Sequence, residues 1–592
     1  MTSASNQTLQ ISEINRQWLA ETQKRLGRPL RIAHIGNIAN NAYLNAKLLR
    51  EMGIECDVIC YDYYHVMGCP EWEDADFEGD IGDQFFPQWS RANLKGYKRP
   101  DWFLQGPHRA CLKYLIARHK NRRLAARYWK WRMDAGRRFT CYLGANHPIT
   151  VKLYRLLRRL RRYSYRSMAA HYLRTVILPA YYRLPLPQAV LRDVIIVVRF
   201  LLVILRMTLR TIIGALLWPW HRLWLWYELR DARDMKHLKQ YLAQLPVLKQ
   251  SLVQQFARYF PHRRDKLVLA DMDLYTSVLP YWYLALRHYD IVQGYSTDPL
   301  LPMLCNHPHF TAYEHGTLRE IPYHDKNFSR LTALAYRTAK SVFITNTDNI
   351  VAIDKLGLDR ARVYCTPHAF DHRKLLRHEE KCKATLTRPY KEFTFFNPSR
   401  QHYSLGGVEN KGNDRVIHAA RILKDKGLTF KILFAEWGMD VNLSKKLIAE
   451  LDVGDCITWV PIMRKKGLWE MYMGVDVIID QFIVPSMSGV SFEALTLGKP
   501  VISYDDGHTN QVCFGAQAPI VSAREIPDIA AVMEDLILHP EKLGPIGEAS
   551  REWARNYHSS DRIVDIQLNA YREHFEEKSH EKMQPPPMRL TA

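Results

Sequence analysis

Residues Val475–Tyr504 read VDVIIDQFIVPSMSGVSFEALTLGKPVISY, and this stretch decides the fold. Val477-Ile478-Ile479 is short, apolar and β-branched, as a strand of a parallel sheet covered on both faces should be. Pro485, Ser486, Ser488 and Gly489 are loop chemistry, and Ser488 or Gly489 can start a helix. Glu493-Ala494-Leu495-Thr496-Leu497 supplies one or two turns, Gly498 stops them, and Pro500-Val501-Ile502 returns to the sheet. A loop entering a helix beside a strand's carboxyl end offers unpaired N–H groups and a positive dipole to an anion. The stretch is a phosphate site in outline, although any βαβ unit of a doubly wound sheet shares its pattern.

SGVSFEALTLGKPVI, residues 488–502, resembles the signature of the retaining glycosyltransferases of family four, which have the GT-B architecture. The resemblance implies a loop and helix that hold a nucleotide sugar, with a helix acid on the ribose of the donor. By position that acid is Glu493, with Ser488, Gly489 and Val490 at the phosphate-facing helix start. The family carries another acid eight residues earlier, on the transferred sugar; this chain has Pro485 there.

Arg400 ends Asn397-Pro398-Ser399-Arg400 after an apolar strand pattern, and Lys411-Gly412 opens the next helical region. They resemble the family's arginine and lysine that clasp the donor diphosphate, here separated by a longer loop, Gln401–Asn410. Breaking a sugar–phosphate bond leaves charge on the diphosphate. A guanidinium can bind two of its oxygens and an ammonium adds a point charge. No DxD-like pair sits in a suitable place, so neither a metal nor another cofactor is expected. His315, in Tyr313-Glu314-His315-Gly316, matches the family's cleft histidine beside the transferred sugar. Glu314, Arg319 and Glu320 are nearby candidates for the acceptor. Trp437 and Ile462 are placed to flank the nucleotide base, and each suits a core position equally well.

Taken in order, Leu30–Ile35 reads as a first strand, Ala42–Met52 as a helix and Cys56–Tyr61 as a second strand, the opening of a Rossmann-like domain. The intervening loop, Gly36-Asn37-Ile38-Ala39-Asn40-Asn41, lacks a dinucleotide fingerprint. In GT-B enzymes this loop faces the acceptor, which assigns acceptor contacts to Gly36, Asn37 and Asn40; a plain βα turn is the other reading. Strand patterns resume at 267–271, 290–295, 311–316, 341–346 and 363–368, and a second α/β domain begins at Phe393. The expected architecture is therefore α/β of the GT-B type, two Rossmann-like domains facing a cleft, with a helical insert. Its segments are an N-terminal extension (1–28), an acceptor-side domain (29–106 and 230–385) interrupted by the insert (107–229), a nucleotide-sugar domain (386–546), returning helices (547–577) and a tail (578–592).

The net charge of +22 is concentrated in the insert. Between Arg109 and Arg222 there are 25 lysines and arginines against two acids, Asp134 and Asp193. The rest of the chain is near neutral. Lys152, Arg155, Arg159, Arg162 and Arg166 fall within an arc of about 80° on a helix. Further on, Arg192, Arg199, Arg206 and Arg210 line one stripe. The longest run there free of charged residues and histidine, Thr211–Trp220, is ten residues, well short of the ~20 that span a bilayer. An arginine at bilayer depth costs roughly 2.5–3.5 kcal/mol. Lying in the headgroup plane avoids that cost, with Trp218 and Trp220 in the interfacial layer. Attachment to an anionic phospholipid surface fits best. Nucleic-acid binding is disfavoured because no recognised module is present and the aliphatic faces would have no use on RNA or DNA. A solvated helical subdomain, an oligomer interface and a transmembrane hairpin remain as other readings.

The ten cysteines show no paired spacing for zinc or a disulfide framework, and the polar N-terminus has no secretory apolar region. The expectation is a metal-independent enzyme on the cytoplasmic face of the cell membrane. It would transfer a sugar, with retention, from a nucleotide sugar to a lipid-linked saccharide or glycolipid in envelope polysaccharide or glycolipid assembly. A soluble acceptor and a non-catalytic scaffold of the same fold are the rivals. The donor sugar and the oligomeric state stay open.

Overall fold

The computed structural model describes residues 9–146 and 232–581. Lys152–Arg166, Arg192, Arg199, Arg206, Arg210, Trp218 and Trp220 lie outside the described residues. Two parallel sheets organise the molecule. The first contains β1 (Arg31–Ile35), β2 (Glu55–Tyr61), β3 (Phe103–Gly106), β4 (Ile291–Tyr295), β5 (Phe310–Tyr313), β6 (Ser341–Ile344) and β7 (Val363–Cys365), in the order β3-β2-β1-β4-β5-β6-β7. The second contains β8 (Phe393–Asn397), β9 (Phe430–Ala435), β10 (Ile457–Val460), β11 (Val477–Ile479), β12 (Val501–Ser503) and β13 (Val521–Ser522), in the order β10-β9-β8-β11-β12-β13.

These are the two Rossmann-like halves of the GT-B arrangement. Each central strand is buried along almost its whole length because helices cover both faces of a parallel sheet. Ile35 pairs with Ile59 on one side and with Gly294 on the other. In the second sheet Phe396 pairs with Ile478, which brings the carboxyl ends of β8 and β11 together.

The opening stretch folds as its pattern dictates. Val477–Ile479 is a buried strand, Ser488 caps the helix Gly489–Thr496, and Gly498 adopts φ +68° before β12. One reading needs correction. Residues 267–271 are not a strand: Val268 is the cap of the helix Leu269–Thr276, and Asp271 Oδ2 accepts its N–H at 3.1 Å. A short apolar run is ambiguous between strand and helix, and the capping carboxylate decides for helix. Conversely, Phe103–Gly106 is a strand that its sequence hides.

The segment joining the sheets holds a helix, His372–Cys382. The last helix, Ser560–Glu581, returns to the first sheet. Tyr571 donates to Gln293 Oε1 at 2.8 Å, Gln567 donates to Asn45 Oδ1 at 3.1 Å, and His574 meets Ser341 at 2.6 Å. Within the N-terminal extension, the helix Glu13–Leu26 packs on this return helix, and Asp565 accepts from Ser12 and Asn15. Of the basic insert, the helices His108–His119 and Arg123–Asn146 are described. Among the described residues no helix is long and apolar enough to cross a membrane.

Candidate active site

The strand order of the second sheet reverses between β8 and β11, and loops leaving their carboxyl ends diverge there to open a crevice. Asp480, directly after β11, is fully buried and fastens its walls. It accepts from Ser399 Oγ at 3.1 Å, from the Ser488 N–H at 3.2 Å and from Ser491 Oγ at 2.6 Å. The loop after β8 is thereby tied to the start of the helix Gly489–Thr496. Ser488 Oγ accepts the Val490 N–H at 3.1 Å. Gly489 is exposed, and a side chain there would meet nothing within 4 Å, so the helix tip is open to a ligand.

Lys411 approaches the same crevice. Its ammonium donates to Gln481 Oε1, and the Gln481 amide donates to the Ser486 carbonyl, which holds the lysine against the loop before the helix. Burial pulls Lys411 down to about 8; Asp480 opposes the shift, while Arg400 and Arg319 add to it. Arg400 is paired with Glu409, and its Nε is buried without a hydrogen-bond partner. From the first domain His65 comes near: burial, helped by the Arg400 charge, lowers it to about 4. The β8 and β9 loops can approach only because residue 438 is glycine. Its φ is +113°, and a Cβ would lie 2.6 Å from the Gln401 nitrogen. Trp437 Nε1 donates to the Pro398 carbonyl at 2.8 Å, and Ile462 is exposed. Pro485 lends only its carbonyl, which accepts from Thr509 Oγ1 at 3.2 Å.

His315 faces this crevice from the first domain. Asn41 Oδ1 accepts the Ala369 N–H at 3.2 Å, so it is the Asn41 amide group that meets His315 Nδ1 at 3.1 Å. Nδ1 is then the acceptor and Nε2 carries the proton. Burial, with Arg319 and Lys411 nearby, lowers His315 to about 4, so the ring is neutral at physiological pH. His368 stands 5.7 Å away, edge to face, with its Nε2 buried and unpartnered.

The acceptor-side residues are engaged elsewhere. Asn37 and Asn40 are buried and bond to each other and to the carbonyls of Gly68 and Cys69. Gly36 is favoured by its φ of +89°, and a Cβ there would also crowd Asp298 Oδ2 at 2.6 Å. Glu314 is fully buried; the Asn346 N–H at 3.1 Å and the Asn349 amide at 2.7 Å occupy its oxygens. Arg319, beside it, forms a two-pronged pair with Asp348.

Glu493 is buried on the inner side of its helix. One oxygen pairs with Lys465 and the other accepts Trp469 Nε1–H at 3.0 Å. Burial opposes the Lys465 charge, yet Glu493 and Glu73 outweigh it and hold that ammonium above its ordinary value. Thus Arg400, Lys411, Ser488–Val490 and His315 gather about one crevice, while Glu314, Asn37 and Asn40 brace its first-domain wall. Asp480, Gln481, Glu409, Lys465 and Trp469 escape sequence reasoning. Only Asp480-Gln481, polar residues ending a buried strand, leaves a trace there.

Residues 403–553 match the family model described as "Glycosyl transferases group 1". No curated protein matches the chain. Among solved structures, a sucrose-phosphate synthase from Thermosynechococcus elongatus is 16% identical with TM-score 0.41, over 51% of this chain and 79% of that one. Anabaena HepE, solved with UDP-glucose, is 14% identical with TM-score 0.38, over 52% and 82%. A glycosyltransferase from Rickettsia africae is 17% identical with TM-score 0.39, over 52% and 81%. Likenesses of this size carry no inference about substrate.

Removing one partner of a buried ion pair strands the other charge. Lys465→Ala is expected to cost about 3–5 kcal/mol, and adding Glu493→Gln should restore much of it. Thermal unfolding of the two single variants and the double variant measures the coupling. Additive losses would mean that the pair does not hold the helix.

Proposed function

We propose that the protein is a retaining glycosyltransferase that takes its sugar from a nucleotide sugar, its diphosphate seated in the crevice between β8 and β11. The carrying observation is the convergence of Arg400, Lys411 and the open helix tip at Gly489 on the same switch point. The match of residues 403–553 to the glycosyltransferase group 1 model supports the same reading. In the reaction the bond between the anomeric carbon and the diphosphate oxygen breaks, and its electron pair stays on the diphosphate. The acceptor hydroxyl adds to the same face of the sugar, and its proton passes to the departing oxygen. Arg400 takes two diphosphate oxygens in place of Glu409, which now occupies its guanidinium. Lys411 and the helix dipole neutralise further charge where it develops, without a metal. His315, neutral with a proton on Nε2, donates to the sugar or its phosphate. Glu493 reaches the ribose by exchanging Lys465 or Trp469 for its hydroxyls, and Trp437 and Ile462 border the base. The acceptor enters over the loop from Gly36 to Asn40.

We assign the acceptor to the lipid-linked saccharides or glycolipids of the cytoplasmic leaflet, with the basic insert on anionic phospholipid. The described helix Arg123–Asn146 supports this. It exposes Arg123, Arg127, Arg132 and Arg138 together with Leu124, Trp131 and Phe139, while its one acid, Asp134, pairs with Arg137. Such a face suits a headgroup layer, each basic residue adding about 1 kcal/mol near an anionic surface.

A panel of nucleotide sugars tests the enzyme directly. Wild type should hydrolyse or transfer from one of them, and Arg400→Ala should lower turnover roughly 10²–10³-fold. Turnover unchanged in that variant would overturn the assignment. Binding of a nucleoside diphosphate such as UDP should depend on pH through Lys411. Its ammonium is charged below about pH 8 and is lost above it, whereas a bound diphosphate holds the proton on. Affinity should therefore be flat below that pH and fall by at most about tenfold per unit above it, with proton uptake. Lys411→Arg should flatten the profile, and calorimetry in two buffers reads it. On anionic liposomes at physiological salt the chain should float; a chain that stays in the bottom fraction has a soluble acceptor.

A further inference from the structure

The helix His372–Cys382 lies between the last strand of the first sheet and the first strand of the second. Its residues His378 and Cys382 are one turn apart and share a face. Glu470, on the helix Lys465–Gly474, stands opposite them. His378 Nε2 is 3.0 Å from Glu470 Oε1 and 3.6 Å from Cys382 Sγ, and one ligand atom from each of the three lies within 4.8 Å of the others. Bonds of ~2.0 Å to nitrogen or oxygen and ~2.3 Å to sulfur place the ligands of a tetrahedral zinc roughly 3.3–3.6 Å apart. The His378–Cys382 separation falls in that range, the His378–Glu470 separation is slightly shorter, and the third is no more than 4.8 Å. A thiolate and a carboxylate together balance a dication, and imidazole with thiolate is a donor set that favours zinc over magnesium or calcium.

The surroundings suit an ion that enters from solvent. The His378 side chain is 12% exposed and that of Glu470 43%, which leaves room for water in a fourth position. Burial and Glu470 raise the Cys382 thiol, while Lys466 and Lys381 counter them. These residues have no part in the proposed transfer chemistry. We propose that His378, Cys382 and Glu470 form a zinc site that pins the interdomain helix to the second domain. The pin lies behind the donor site: the His378 ring is 5.9 Å from that of Trp469, whose indole holds Glu493.

The test uses the full chain, reduced and stripped with a chelator, and titrated with Co²⁺ as a coloured stand-in. One equivalent should bring up a near-ultraviolet thiolate-to-cobalt band together with the strong visible bands of tetrahedral cobalt, and Zn²⁺ should bleach both. Cys382→Ser should abolish the near-ultraviolet band. His378→Ala should weaken binding roughly a hundredfold or more, since loss of an outer partner alone typically costs 10–100-fold. Circular dichroism checks that each variant is folded. In Trp469→Phe the cobalt bands should persist, while the quenching of tryptophan fluorescence by Co²⁺ should shrink. Absence of the thiolate band at stoichiometric cobalt, or its survival in folded Cys382→Ser, would overturn the site.

Discussion

A carboxylate that has given up water must be repaid in hydrogen bonds, and at Asp480 that requirement joins three segments of the second domain. Its oxygens take Ser399 from the loop after β8, the Ser488 N–H from the helix cap and Ser491 from the helix body. Each donor is individually modest, but a buried charge left short of partners is strongly destabilising. The loop bearing Arg400 and the helix tip therefore hold a common position before any ligand arrives. Lys411 feels the same charge through space, which keeps its ammonium from being lost altogether to burial. A diphosphate would thus meet groups already placed, and preorganisation of that kind is where electrostatic stabilisation has most effect.

The two sheets are joined by more than the crevice. Asp76 of the first domain pairs with Arg464 at 2.7 Å, and Asp74 pairs with Lys374 at 2.9 Å. Lys465, next to Arg464, holds Glu493. A single basic run, Arg464-Lys465-Lys466, therefore reaches both across the domain boundary and to the helix that bears Glu493. Movement of one domain against the other would pull on the same turn of helix that positions Glu493.

Much of this was legible in the sequence, and the exceptions have physical reasons. The strand Val477–Ile479, the cap at Ser488 and the stop at Gly498 follow from local chemistry, and local chemistry won. Arg400 and Lys411 stand out through the resemblance to the family's diphosphate clasp, and their places after a strand and before a helix follow the local pattern. Leu267–Asp271 misled because a short apolar run suits strand and helix alike. Phe103-Leu104-Gln105-Gly106 was missed because it lacks β-branched residues and ends in glycine. Asp480 and Lys465 were invisible as partners, since burial and pairing across the chain leave no periodic trace. Glu314, a candidate for the acceptor by sequence, is buried with its oxygens taken by Asn346 and Asn349, a pairing that no local pattern announces.

The return helix Ser560–Glu581 supplies Gln567, Tyr571 and His574 to a sheet whose first strand begins at Arg31. Gln293 and Asn45, which also bond to Tyr295 inside the sheet, each take a further partner from that helix. During synthesis, then, the half of the molecule that leaves the ribosome first is completed last. Its sheet must wait with one flank uncovered until the helix Ser560–Glu581 has emerged, and a nascent chain cut short before that helix would expose the flank to chaperones and proteases. Quality control of the first sheet is thereby tied to a helix that lies roughly two hundred residues further along the chain than its last strand, one domain later.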